Sequence, residues 1–123
     1  MSTLIEKAEI PDWIRVHAEQ YLVKCDMRKK HVCLLVHNRR VVCTGYNTKG
    51  VLAYACREGY VYSVHAEMHA IHQFKKRKNK LQLCNCVMFV LRFANDGSLA
   101  PSEPCALCRK LLVKHGIVKC IHS

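Results

Sequence analysis

Apolar and polar positions along the chain alternate between two periods. Over residues 11–25, Trp13, Ile14, His17, Ala18, Tyr21, Leu22 and Cys25 recur at helical spacing, and Pro11 suits the first turn of a helix. Residues 32–36 are a short apolar run rich in β-branched side chains, and 41–46 are a second run beyond the polar break at residues 37–40. Two such runs across a short break predict a hairpin. Residues 47–63 show no period and hold two glycines, which predicts a loop carrying Tyr54, Tyr60 and Tyr62. A second helix is expected over 65–76, with Glu67, Ala70, Ile71 and Phe74 on one face. The nearly continuous apolar run 86–93 predicts a strand covered on both faces. Residues 95–98 read as a turn, 104–115 as a third helix closed by Gly116, and 117–121 as a final strand. The order α-β-β-α-β-α-β predicts a mixed α/β sheet with helices on both faces.

A length of 123 residues, half of them apolar, fits one domain over residues 1–123 with a real core and excludes a disordered tail. No apolar run approaches the roughly 20 residues of a membrane span, and the first residues lack the basic and apolar regions of a signal peptide. A soluble, cytoplasmic protein is expected. Twenty Lys and Arg against nine Asp and Glu leave a charge of +11, which favours an anionic partner or substrate. Nine cysteines are an odd count for a disulfide framework. Cys33, Cys43, Cys86 and Cys120 lie inside apolar runs, so reduced thiols are expected, some buried and some binding metal.

The chemistry concentrates in two short segments, His65-Ala66-Glu67 and Pro104-Cys105-Ala106-Leu107-Cys108, with a strand between them. Cys105 and Cys108 are three apart and share the inward face of a helix whose N-terminus favours thiolate. Pro104 fits the first helical position, with Ser102 or Glu103 as cap. His65 supplies a third ligand. Three protein ligands and an open fourth position are the arrangement of a catalytic zinc; Cys84, Cys86 or His69 would close that position in a structural one. Glu67, on an otherwise apolar stripe, is placed to move protons, and zinc makes hydroxide available near neutral pH. His69 and His72 read as surface or packing residues.

His65-Ala66-Glu67 followed by Pro104-Cys105-x-x-Cys108 resembles the zinc-dependent cytidine and deoxycytidylate deaminase superfamily. The resemblance spans roughly residues 30–122, including Gly45-Tyr46-Asn47, Ser63-Val64-His65-Ala66-Glu67-Met68 and Gly116-Ile117-Val118-Lys119. It implies a three-layer α/β/α cytidine-deaminase-like fold with about four to five strands, one zinc held by His65, Cys105 and Cys108, and Glu67 as the proton shuttle. It also implies that the Ala66 N–H orients the base and that Asn47 contacts the sugar, although Asn47 reads equally well as a turn residue. A histidine at position 65 tilts the resemblance toward the nucleotide and tRNA branches, since the small free-cytidine enzymes usually carry cysteine there.

The activity expected is hydrolytic deamination of a cytosine nucleoside or nucleotide. The alternatives are tRNA adenosine or polynucleotide deamination, and a catalytically silent zinc module that contacts nucleic acid. The run Lys75, Lys76, Arg77, Lys78 and Lys80 is either a solvated helix end or a nucleic-acid contact. Arg57 and Arg92 carry no signal by themselves. The chain is expected to stop at its fourth strand, leaving residues 117–121 as an apolar sheet edge with Lys119 its one charge. A homodimer covering that edge is the simplest closed solution, while the resemblance points to an oligomer through the zinc-motif helices.

Overall fold

The computed structural model describes residues 2–25, 28–49, 56–58, 61–77 and 80–123. In chain order the elements are β1 (Leu4–Lys7), α1 (Asp12–Glu19), β2 (Lys30–His37), β3 (Arg40–Tyr46), β4 (Thr48–Lys49), β5 (Cys56–Glu58), β6 (Val61–Val64), α2 (Ala66–Lys75), β7 (Val87–Phe93), β8 (Leu99–Ala100), α3 (Ala106–Lys114) and β9 (Lys119–His122). The main sheet runs β1-β9-β7-β2-β3, with β8 beside β7, and is mixed as expected. β2 is antiparallel to β3 and β7, whereas β9 is parallel to β7 and β1.

The hairpin forms where the two apolar runs predict it. Asn38 and Arg39 have φ of 49° and 60°, the backbone of a two-residue turn whose twist matches the flanking strands. Alternation along β2 and β7 then divides the core. Val32, Leu34, Val36, Phe89, Leu91 and Phe93 pack with Ile14 and Ala18 of α1. Cys33, Leu35, Met88 and Val90 pack on the other face with Ala70, Ile71 and Phe74 of α2 and with Cys108 and Leu112 of α3. The three-layer α/β/α architecture follows from this division.

The expected sheet edge at residues 117–121 is not one. β9 begins at Lys119 and lies inside the sheet, its backbone paired on both sides by β7 and β1. A homodimer formed to cover it has no basis. The strand that covers it comes from the other end of the sequence: Leu4 pairs with Lys119 and Lys7 with His122. Four residues with two apolar side chains are too short for a period to show, so β1 escapes pattern reading. The main sheet thus has six strands, the two-residue β8 included, and not four or five.

Residues 47–63, expected as loop, contain β4, β5 and β6 in a separate antiparallel sheet of order β4-β6-β5. Tyr54 and Tyr60 lie outside the described residues, as does Lys78. α1 starts at Asp12, with Pro11 its N-cap and not part of its first turn, and Trp13 on the expected buried face is 43% exposed. The helix stops at Glu19, and Leu22–Lys24 form a separate 3-10 turn. Among the described residues no helix is long and apolar enough to cross a membrane.

Gly45 sets how closely α2 lies on β3. A Cβ at that position would sit 2.3 Å from the Ala70 nitrogen and 2.4 Å from the Ala66 oxygen, both rigid backbone. Gly45→Ala is therefore expected to push α2 away at a cost of about 1–3 kcal/mol. Denaturant midpoints measure it; an unchanged midpoint would show that the helix does not rest there.

Candidate active site

His65 and Cys105 occupy equivalent positions, each the extended residue that caps a helix. His65 precedes α2 with φ −72° and ψ 149°, and Cys105 precedes α3 with φ −69° and ψ 167°. Cys105, not Ser102 or Glu103, is thus the cap of α3, and Pro104 stands before the helix instead of at its first position. The Cys105 sulfur accepts the Cys108 N–H at 3.5 Å, one of the donors a helix start leaves unpaired. The same sulfur is thereby held in the positive field of the helix terminus, which favours thiolate.

His65 Nδ1 lies 3.3 Å from Cys108 Sγ and 3.6 Å from Cys105 Sγ, and the three ligand atoms fall within 4.8 Å of one another. Tetrahedral zinc with ordinary Zn–N and Zn–S lengths separates such pairs by about 3.6 Å. One imidazole nitrogen and two sulfurs at this spacing fit zinc. The remaining expected closers are elsewhere. The Cys84 thiol faces the Gln82 side-chain oxygen, and the Cys86 thiol faces the Gln82 carbonyl. His69 Nδ1 meets the Tyr46 backbone at 3.1 Å, its Nε2 meets Gln73, and its ring stands edge-on to Tyr46, a packing role.

Glu67 is the second residue of α2 and is 4% exposed. Burial pushes its carboxyl above the usual carboxylate range, opposed by its own backbone N–H, by His65 and by the Cys108 thiol. A carboxyl that keeps its proton more readily, beside a metal-competent trio, can both donate and accept. Ala66 is the first, fully buried residue of the same helix. Burial raises the Cys33 and Cys120 thiols, Cys120 to about 12, and both are inert packing thiols.

Asn47 is buried, and its side chain is engaged with the start of β2. Oδ1 accepts the His31 N–H at 2.9 Å, and Nδ2 donates to the Lys29 carbonyl at 2.5 Å. Thr48, the next residue, pairs with Val64, which directly precedes His65. The basic run is remote: Lys75, Lys76 and Arg77 close α2, whose ten residues place them about 15 Å along the helix from His65.

Sequence reading missed the residues that aim Cys105. Ser102 is buried; its hydroxyl donates to the Val90 carbonyl at 2.8 Å and accepts the Ser123 N–H at 3.2 Å. The Ser123 hydroxyl in turn donates to the Ala100 carbonyl at 2.6 Å and accepts the Arg92 N–H. The segment entering α3 is thereby fastened to β7 and to the end of β9. Serines in loops carry no periodic signal. Gly45 did carry one, because a glycine inside a strand marks a close backbone approach.

Residues 13–123 match the family described as cytidine and deoxycytidylate deaminase zinc-binding region. No curated protein matches the chain in sequence. Among solved structures, a cytidine deaminase from Burkholderia pseudomallei is similar, with a TM-score of 0.61 at 18% identity over 89% of this chain and 79% of that one. A dCMP deaminase from the cyanophage S-TIM5, solved with dCMP and dUMP, gives 0.60 at 18% identity over 94% and 86%. A cytidine deaminase from Mycobacterium tuberculosis gives 0.53 at 21% identity over 93% and 85%. With its His-Cys-Cys trio and the family match over nearly its whole length, the chain belongs to the zinc-binding cytidine and deoxycytidylate deaminase family.

Proposed function

We propose that the protein hydrolytically deaminates a cytosine-containing nucleoside or nucleotide to its uracil form and ammonia. The observation that carries this is Glu67: a buried carboxyl in the first turn of α2, beside His65 and Cys108 of the three-ligand site. A silent zinc module has no use for a carboxyl there. Zinc, held by His65, Cys105 and Cys108, supplies the activation of water at neutral pH.

The chain's own groups account for the proton traffic. Attack at C4 of cytosine needs a base and departure of the amine needs an acid; Glu67 serves both by taking one proton from the attacking water and giving it to the ring nitrogen, then taking the second from the hydroxyl now on C4 and passing it to the leaving amine. The Ala66 N–H orients the base. The Asn47 amide retains capacity for one more donor bond beyond the one to Lys29, and in this reading it goes to the sugar. Any oligomer is assigned to the face carrying α2 and α3. The remote position of the Lys75–Arg77 cations favours a small substrate over tRNA.

A panel of cytidine, deoxycytidine, CMP, dCMP and a tRNA anticodon stem, assayed for ammonia, tests the base and substrate class. Release from the cytosine compounds is expected. Release from the adenosine of the tRNA stem alone would replace this reading with the adenosine one.

A further inference from the structure

Acidic residues are unevenly placed along the chain: none falls within residues 27–57, 68–95 or 104–123. Parts of those three stretches meet at the end of α2 remote from the trio. At the end of β2, His37 Nδ1 lies 3.0 Å from the Asn85 carbonyl. Burial raises the Cys43 thiol of β3 and the Cys86 thiol ahead of β7, and the Arg77 charge opposes the rise in both, so Arg77 lies close to each. Lys75 Nζ donates to His115 Nδ1 at 2.7 Å, joining the end of α2 to the end of α3. One ridge therefore runs from Arg39 and Arg40 at the hairpin turn, past Lys75, Lys76 and Arg77, to Lys114. All six side chains are exposed.

The ridge carries one sign of charge. The ion pairs of the described residues lie elsewhere: Arg15 with Asp12 and Glu19, Arg109 with Glu103, and Lys119 with Glu6. Among the described residues none of the six ridge cations meets a carboxylate. Burial together with the Lys75 and Lys114 charges holds the His115 imidazole below its usual range, as crowded like charge should. Two helix C-termini contribute about one negative charge between them, too little to balance six cations. Arg39 and Arg40 belong to a strand turn, where no helix dipole calls for cations. A solvated helix end does not account for the arrangement.

We propose that this ridge binds the phosphate backbone of a nucleic acid, at a surface separate from the zinc site and without passing the strand through it. Packed helices lie about 10 Å apart, so a ridge crossing from α3 over α2 to the hairpin turn is on the order of 20 Å long. One strand of a duplex sets a phosphate about every 3.4 Å of axis, so that length faces about six phosphates, roughly one for each cation. An anionic membrane fits less well. Among the described residues, the exposed large apolar side chains include none from the hairpin turn, α2 or residues 80–86, where a membrane-seated surface would carry its anchors. The proposal stands apart from the deaminase reading, because the trio and the ridge occupy opposite ends of α2.

The test uses the zinc-loaded chain and a labelled oligothymidylate of about 20 nucleotides, whose base has no exocyclic amine to remove. Binding is expected at about 50 mM salt, with log K falling against log salt at a slope of about −4, as six phosphate contacts on a single strand require. Arg39→Asn with Arg40→Gln, and Lys76→Gln with Arg77→Gln, are the two double variants; asparagine tolerates the positive φ of residue 39. Each should lower affinity about tenfold and flatten the slope by about 1.4, with an unchanged melting curve. Arg39→Lys with Arg40→Lys keeps the charge and most of the affinity. Deoxycytidine turnover stays within about twofold in every variant, and its absence throughout would leave the ridge untouched. No binding, a slope unchanged in either double variant, or displacement of the strand by free deoxyuridine would each overturn the proposal. Binding to phosphatidylserine vesicles in place of the oligonucleotide would overturn it as well and assign the ridge to a membrane surface.

Discussion

Glu67→Gln is expected to keep one zinc per chain and a native melting curve while losing about 10²- to 10⁴-fold in turnover, the usual contribution of a positioned acid–base group. Glutamine fills the same slot at 4% exposure and removes only the titrating proton. Because burial disfavours the charged carboxylate, the neutral amide should fold at least as stably as the wild type. A variant that turned over at the wild-type rate would remove Glu67 from the chemistry. One that lost its zinc would make the residue a support of the metal site.

Cys108→Ala has the larger effect on the metal. Cys108 is fully buried, and its sulfur is the nearer of the two to His65 Nδ1, at 3.3 Å. Its loss leaves two ligands, so zinc should dialyse away and the zinc-dependent part of the melting temperature should vanish. Cys120→Ala is the matched control, because Cys120 is equally buried but lies outside the trio. It should lose stability through the cavity it leaves and keep its zinc. Metal analysis and melting with and without chelator read both. If Cys108→Ala retained a full equivalent of zinc while Cys120→Ala did not, the ligand assignment would be wrong.

What the sequence made legible follows physical lines. The helices and long strands could be read because Ile14, Ala18, Ile71 and Phe74 repeat with a helical period and the apolar run at β7 continues unbroken over enough residues. The trio could be read because His65 and the Cys105–Cys108 pair sit at fixed spacing on helix starts, where local geometry nearly determines direction. β1 could not, since its pairing with β9 joins residues more than a hundred positions apart and four residues hold no pattern. The edge assigned to residues 117–121 failed for the same reason: an edge is a property of the whole sheet. Cys105 replaced Ser102 and Glu103 as cap because its sulfur can accept the Cys108 N–H, and Ser102 was drawn away to the Val90 carbonyl.

The most direct test of the whole account couples metal content to product. The purified chain, loaded to one zinc, is supplied with deoxycytidine and dCMP; ammonia and the uracil product are quantified before chelation, after it, and after zinc is restored. The account predicts equimolar ammonia and uracil product that disappear with the zinc and return with it. A stoichiometric zinc held by His65, Cys105 and Cys108 with no ammonia from either cytosine substrate would contradict it and leave a metal-binding module without the reaction.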